Sequence, residues 1–267
     1  MKPEGKNHAL SSTPASGAEA LAYWDCKAKT YPGPKDAGAA DKARYVQQCA
    51  ADLGVLWNVP AVLDAGAGTG SHALAMAWQA QRVVAVDLSA AMLEPLKISR
   101  PPNVEVIAGD LLQLDMKSLG WEKAFDLAWC CMSPISGDMH GIAQLELASR
   151  GQVCCVTWGT NRNDPLFCEA FLLHGERFYP PAWRDTIMTH AKQSGRTLRY
   201  RVMKNNVTQR FSVENFVLDL AHHLRWLGIE PDHGLLLDWA SSISDDGVIT
   251  RHLVADQEIW LWSVNPD

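Results

Sequence analysis

The sequence has seven cysteines but no Cys-x-x-Cys pair. A structural zinc site would want that spacing, so the thiols give no metal framework. Their odd number and the adjacent pairs Cys130-Cys131 and Cys154-Cys155, set in apolar strand-like runs, read instead as reduced core thiols. No run of about 18 apolar residues is present, so no membrane-spanning helix is expected. The opening stretch, MKPEGKNHALSSTPASG, has no apolar h-region of a secretory signal, and the expected location is the cytoplasm. There is no excess of basic residues, the net charge being −6, which argues against a surface built for nucleic acid. No internal repeat is found, and low complexity is confined to the start.

What is present fits an ordinary globule with an unusual share of flat apolar surface. Hydrophobic residues make up 47% and there are eleven tryptophans. Residues 1–18 are polar and are expected to be a disordered tail, with a single domain over 19–267. A helical segment at 18–34 is broken by Pro32, Gly33 and Pro34. Asp41 is read as the cap of a following helix, in which Val46, Cys49, Ala50 and Leu53 form one apolar stripe. From Val62 onward, short apolar runs alternate with helical segments. The runs are Val62–Asp64, Arg82–Asp87, Val104–Ala108, Phe125–Cys130 and Gln152–Trp158. Such alternation predicts a parallel sheet covered on both faces. After Gly159 the pattern changes. A helix is expected over Asp164–Phe178, a half-buried strand around Leu198–Met203, a helix capped by Ser212, another over Leu235–Ile243, and a closing strand at Glu258–Val264.

The most informative stretch is residues 62–70, Val-Leu-Asp-Ala-Gly-Ala-Gly-Thr-Gly. Glycine recurs at Gly66, Gly68 and Gly70, around Ala67, where a strand should turn into a helix and bring backbone close to a ligand. Three acids follow three successive strands. Asp64, Asp87 and Asp110 are each separated by 23 residues, one strand-helix unit. In an open parallel sheet the carboxyl ends of the strands meet at one crevice, so the three converge. Asp87 is placed to accept from both hydroxyls of a ribose and Asp110 from an exocyclic amine. Asp64 is placed to hold a cationic amino group. A dinucleotide site would carry a glycine where Ser71 stands, and Asp64 would repel a pyrophosphate.

The run D-x-G-x-G-x-G at Asp64, V-D-x-S at Val86 and G-D at Gly109 resembles the class I S-adenosylmethionine (SAM) methyltransferases, over roughly residues 40–160. The resemblance implies a Rossmann-like, doubly wound α/β fold with seven strands, mostly parallel with one antiparallel. Helices would cover both faces, with a helical lid insertion at about 204–250. It implies SAM as methyl donor and S-adenosylhomocysteine (SAH) as product. The glycine loop would surround the methionyl part, Leu88 and Met92 would flank the adenosine, and Leu111 would neighbour the adenine. Cys130 and Cys131 would line the sulfonium. The segment YWDCKAKTY is similar to the W-x-x-x-A-x-x-Y helix of small-molecule methyltransferases. Residues 19–40 would thus form an N-terminal lid in which Tyr23, Trp24 and Tyr31 touch the donor. Strand four ends in Cys-Cys-Met-Ser-Pro and lacks the NPPY-type run of enzymes that methylate bases or glutamine.

The function expected is transfer of the SAM methyl group to a small-molecule acceptor, by a cytoplasmic monomer or homodimer with no nucleic-acid or membrane partner. The alternative is a SAM- or SAH-binding module without turnover. His72, in the first turn after the glycine loop, and His140, after strand four, are the candidate general bases, with His222 and His223 on the expected lid. Trp129, Trp158 and Trp183 are candidates for an aromatic wall, although Trp129 and Trp158 sit inside strands and suit core packing.

Overall fold

The computed structural model describes residues 17–179 and 182–265. The chain begins with helices α1 (Gly17–Lys27) and α2 (Ala37–Leu53). The paired units β1 (Ala61–Ala65), α3 (Ser71–Met76), β2 (Arg82–Asp87), α4 (Ala90–Ser99) and β3 (Val104–Ala108) follow. Next come β4 (Phe125–Cys131), a 3-10 turn at Pro134–Gly137, α5 (Met139–Ala148) and β5 (Ser149–Asn163). The remainder is α6 (Pro165–Leu173), α7 (Trp183–Ser194), β6 (Arg199–Met203), β7 (Asn206–Ser212), α8 (Val213–Trp226), α9 (His233–Ser242) and β8 (Val248–Ser263).

The sheet has the order β3-β2-β1-β4-β5-β8-β6, with β7 joined to β8. Strands β1 to β5 are parallel, and β8 runs antiparallel to β5, β6 and β7. The seven-stranded expectation therefore becomes eight. The reason is the length of β8. Its second half fills the expected antiparallel place beside β5, from Gln152↔Ser263 to Trp158↔Gln257. Its first half continues beyond the main sheet and pairs with β7, from Val248↔Ser212 to Val254↔Asn206. The segment at 204–250 is accordingly not all helix, since it opens with β7 before α8 and α9. The closing strand read at Glu258–Val264 is only the apolar half of β8.

Alternation along the strands builds two core layers. On one face Val62, Val83, Ala85, Leu127, Trp129 and Cys154 meet Val46, Cys49 and Ala50 of α2 and Met76 of α3. On the other, Leu63, Val84, Phe125, Cys130 and Cys155 meet Ile142 and Leu145 of α5 and Ile187 of α7. Both faces are dry, as parallel strands require. A third cluster joins Phe167 and Phe171 of α6 to Phe216, Leu220 and Leu224 of α8 and to Leu236 and Ala240 of α9. Beneath it lies a buried ion pair, in which Arg251 Nε donates to both oxygens of Asp164 at 3.1 Å. Asp164 also accepts from the Phe167 backbone and so starts α6.

Some local expectations change. The cap of α2 is Asp36, whose side chain accepts from Gly38 N, and Asp41 lies one turn inside and pairs with Arg44. α6 ends at Leu173, short of Phe178. β6 is not half-buried: only Met203 is covered, because β6 is the edge of the sheet and Tyr200 and Val202 face solvent. Gly17 and Ala18, assigned to the tail, begin α1, and the rest of that tail lies outside the described residues.

Candidate active site

The chain order runs outward from β1 to β3 and then returns to β4 on the other side of β1. A crevice opens at such a reversal, above the carboxyl ends of the strands. Here it is a cavity of about 780 Å³. Asp64, Gly66, Ala67, Gly68, Asp87, Leu88, Met92, Asp110, Leu111, Cys131, Trp24 and Tyr31 all line it. Twelve of the fourteen residues proposed for the cofactor thus meet in one place. The other two are corrected by elementary geometry. Cys130 is fully buried in the core layer on the opposite face, because neighbours on a strand point opposite ways and Cys131 takes the cavity side. Gly70 does not line the cavity. It takes φ +90° before α3, and a Cβ there would lie 2.6 Å from a Leu96 methyl, so this glycine serves helix packing.

Gly66 does serve the cavity. At φ +73° it lets the chain turn out of β1, and its missing Cβ would stand 2.3 Å from Ser133 Oγ. The turn is tied to β2, since Gly68 N donates to Asp87 Oδ2 at 2.8 Å and Ser89 N to Asp87 Oδ1 at 2.9 Å. Each Asp87 oxygen keeps lone-pair capacity for a further donor. Burial raises its carboxyl above the usual range, opposed by those two N–H groups. Asp110 is more open. It accepts from Leu112 N at 3.0 Å and Gln113 Nε2 at 2.9 Å.

Asp64 is different in kind. It is 1% exposed and its Oδ2 has no hydrogen-bond partner. Burial, then the neighbouring Asp87 charge, push its carboxyl up to about 8. A buried acceptor aimed into a cavity without a donor is what a site for a cationic group looks like before the cation arrives.

The histidines separate clearly. His72 lines the cavity, with its ring 5.4 Å from that of Trp129 and its Nδ1 unpartnered. Burial pushes it down to about 4, so its ring is neutral at pH 7. His140 lines neither this cavity nor the smaller one beside it. Asp138 caps α5, and the exposed imidazole turns back to the Leu112 carbonyl at 3.0 Å. That removes it from the candidate bases. His222 lies 3.2 Å from Cys26 Sγ, and half-buried His223 bonds the Asp219 carbonyl at 2.7 Å.

These last contacts belong to a clasp between α1 and α8. Lys27 pairs with Asp219, and Tyr23 meets Trp226 at 4.5 Å between ring centroids. Below the clasp a second cavity of about 290 Å³ adjoins the first. Trp24, Tyr31, Met132 and Gln257 line both. Trp158 and Trp183 line the second, whereas Trp129 is core. Lys42, Ser133, Trp226 and Gln257 were not singled out from the sequence. Lys42 carried the one available signal, since it lies four residues before Val46 of the apolar stripe yet carries charge. Gln257 had none, because it depends on where β8 enters the sheet.

Residues 62–146 match the family model described as a methyltransferase domain. No curated protein matches the chain. Among solved structures, a candidate methyltransferase from Bacillus halodurans is 15% identical with a TM-score of 0.53, covering 85% of this chain and 100% of its own. The YcgJ protein of Bacillus subtilis is 17% identical with a TM-score of 0.45, covering 79% and 98%. Phosphoethanolamine N-methyltransferase 2 of Haemonchus contortus, solved with S-adenosyl-L-methionine, is 17% identical with a TM-score of 0.49, covering 92% and 60%. The first of these shows the likeness of fold.

Proposed function

We propose that this chain, whose residues 62–146 match the model of a methyltransferase domain, is a SAM-dependent enzyme that moves the SAM methyl group to a small-molecule acceptor. The observation that carries the reading is the convergence of Asp64, Asp87 and Asp110 with the Gly66 turn on one cavity, beside a smaller second one. The unpartnered Asp64 carboxyl suits the donor's ammonium, Asp87 its ribose hydroxyls and Asp110 its adenine amine. When bound, the donor supplies an activated methyl carbon on a sulfonium.

The reaction is an in-line displacement. The acceptor's lone pair forms a bond to the methyl carbon as the carbon–sulfur bond breaks, and the sulfur leaves as a neutral thioether. The protein's part is to align the two molecules and keep water out. Trp24, Tyr31 and Met132, shared by both cavities, form that boundary. Among the described residues the histidines at hand are His72 on the larger cavity and His223 on the smaller, each pushed down to about 4 by burial, and burial raises the Cys131 thiol. The reading therefore favours an acceptor atom that is nucleophilic without a protein base. The second cavity also favours turnover over a module that only binds SAM.

Tritium-labelled SAM with fractionated metabolite extract tests this. Label should pass to a small molecule with wild type. With Asp87→Ala, calorimetric SAM affinity should fall about 10- to 100-fold, the worth of hydrogen bonds to a charged acceptor. Unchanged SAM binding by that variant would overturn the site, and SAM binding without any label transfer would favour the binding module.

A further inference from the structure

The two cavities differ in charge. The larger is lined by Asp36, Asp64, Asp87, Asp110 and Asp138. The smaller, among the described residues, has no Asp or Glu in its lining, which carries Arg162 and Lys27, with Lys42 shared between the two cavities. Its walls are otherwise largely aromatic, including Trp158, Phe178, Trp183 and Trp226.

Arg162 has no acidic partner there. Its guanidinium carbon lies over the rings of Trp158 and Phe178, at 4.7 and 4.8 Å from the centroids. The nearest acid in sequence, Asp164, is taken by Arg251. Lys27 is taken by Asp219, and no ion pair joins Arg162 to any described residue. Contact with rings leaves the N–H donors of a guanidinium, which lie in its plane, available to an acceptor. One of those donors, Nε, is buried without an acceptor. Burial pushes Arg162 down to about 10, still charged at neutral pH. A buried donor without an acceptor on a cavity wall is a place for a ligand's acceptor atom.

We propose that the smaller cavity binds a flat aromatic anion, with Arg162 as its anchor and the tryptophan and phenylalanine rings as its walls. This deepens the methyltransferase reading and rests on it only in naming that anion as the methyl acceptor. The volume of about 290 Å³ suits a molecule of one or two rings. A planar carboxylate, or a phosphate, matches the guanidinium edge through two parallel hydrogen bonds. The acceptor's anionic group is held at the Arg162 end, while the boundary formed by Tyr31, Met132 and Gln257 faces the donor cavity.

Calorimetric titration with benzoate, 2-naphthoate and phenyl phosphate, against benzamide and 2-naphthamide, tests the proposal. At least one anion should bind, and its neutral counterpart should bind at least about tenfold more weakly. Benzoate against phenyl phosphate distinguishes a carboxylate from a phosphate ligand. Arg162→Met should weaken the anion about twentyfold and leave the amide unchanged, whereas Arg162→Lys should keep part of the affinity, since a point charge remains without the fork. Binding of acid and amide alike, an unchanged Arg162→Met, or no anion bound would each overturn it. Should Arg162→Met fail to fold, the acid-to-amide ratio in wild type and the Arg162→Lys titration decide. SAH titrated into the same proteins reports on the donor site separately. If SAH does not bind but Arg162-dependent anion binding persists, the anion site stands and the methyl-transfer reading falls.

Discussion

Replacing Asp64 by asparagine should make the ligand-free protein's stability less sensitive to alkali. The carboxyl is 1% exposed, one oxygen has no partner, and burial carries it from the ordinary 3.8 to about 8. A folded-state value above the unfolded one means that the native state holds a proton the unfolded chain has released. Stability is therefore highest below the unfolded value, falls as pH rises through the window from 3.8 to about 8, and levels off above it. Within that window one group contributes a slope of about −1.4 kcal/mol per pH unit. For a chain of this size, about 1 kcal/mol corresponds to roughly 2–4 °C in melting temperature.

The assay is thermal melting of wild type and Asp64→Asn from pH 5 to 9. Asparagine keeps an acceptor oxygen but cannot ionise, so the offset at pH 5 carries little information and the divergence carries the test. The variant should gain on wild type by about 3 °C per pH unit up to pH 8 and then run parallel. Saturating SAH should flatten the wild-type slope, because its ammonium would supply the charge that Asp64 lacks. Parallel curves across the whole range would refute both the buried ionisation and the assignment of Asp64 as the cation's partner.

Three further outcomes follow from particular contacts. Arg251→Met should cost about 3–5 kcal/mol in chemical denaturation, because it strands the buried carboxylate of Asp164, and Arg251→Met with Asp164→Leu should recover part of it. Gly66→Ala should abolish SAM binding by calorimetry, since its Cβ would overlap Ser133 Oγ at 2.3 Å in a backbone conformation at φ +73°. His72→Gln should leave the shape of any rate–pH profile between pH 6 and 8 unchanged, because a histidine pushed down to about 4 does not titrate there.

The legible part of this molecule was the part with a period. Strand–helix alternation and the 23-residue spacing of the acids are repeated facts, so each unit supports the next, and the parallel sheet and the Asp64–Asp87–Asp110 convergence can be read from the sequence. What failed was decided at one position by a neighbour far along the chain. Cys130 and Cys131 look equivalent until the register of β4 against β5 assigns one to each face. His140 looks like a base until the Asp138 cap turns its ring toward Leu112. Tyr200 and Val202 alternate like a half-buried strand, yet the position of β6 at the sheet edge leaves both exposed, with Tyr200 touching Trp260 by one face.

The smaller cavity was the least legible for the same reason. Arg162 lies where β5 runs past the main sheet, close to its pairing with the first half of β8. Its meaning comes from what Asp164 does with Arg251, a residue 87 positions later. In sequence, Arg162 and Asp164 look like a local ion pair and suggest nothing. Once Arg251 claims the acid, Arg162 becomes a cation set against two rings, at a wall of the smaller cavity. The placement of Arg162 is thus decided where the periodic sheet ends, by a long-range pairing that takes the carboxylate of Asp164.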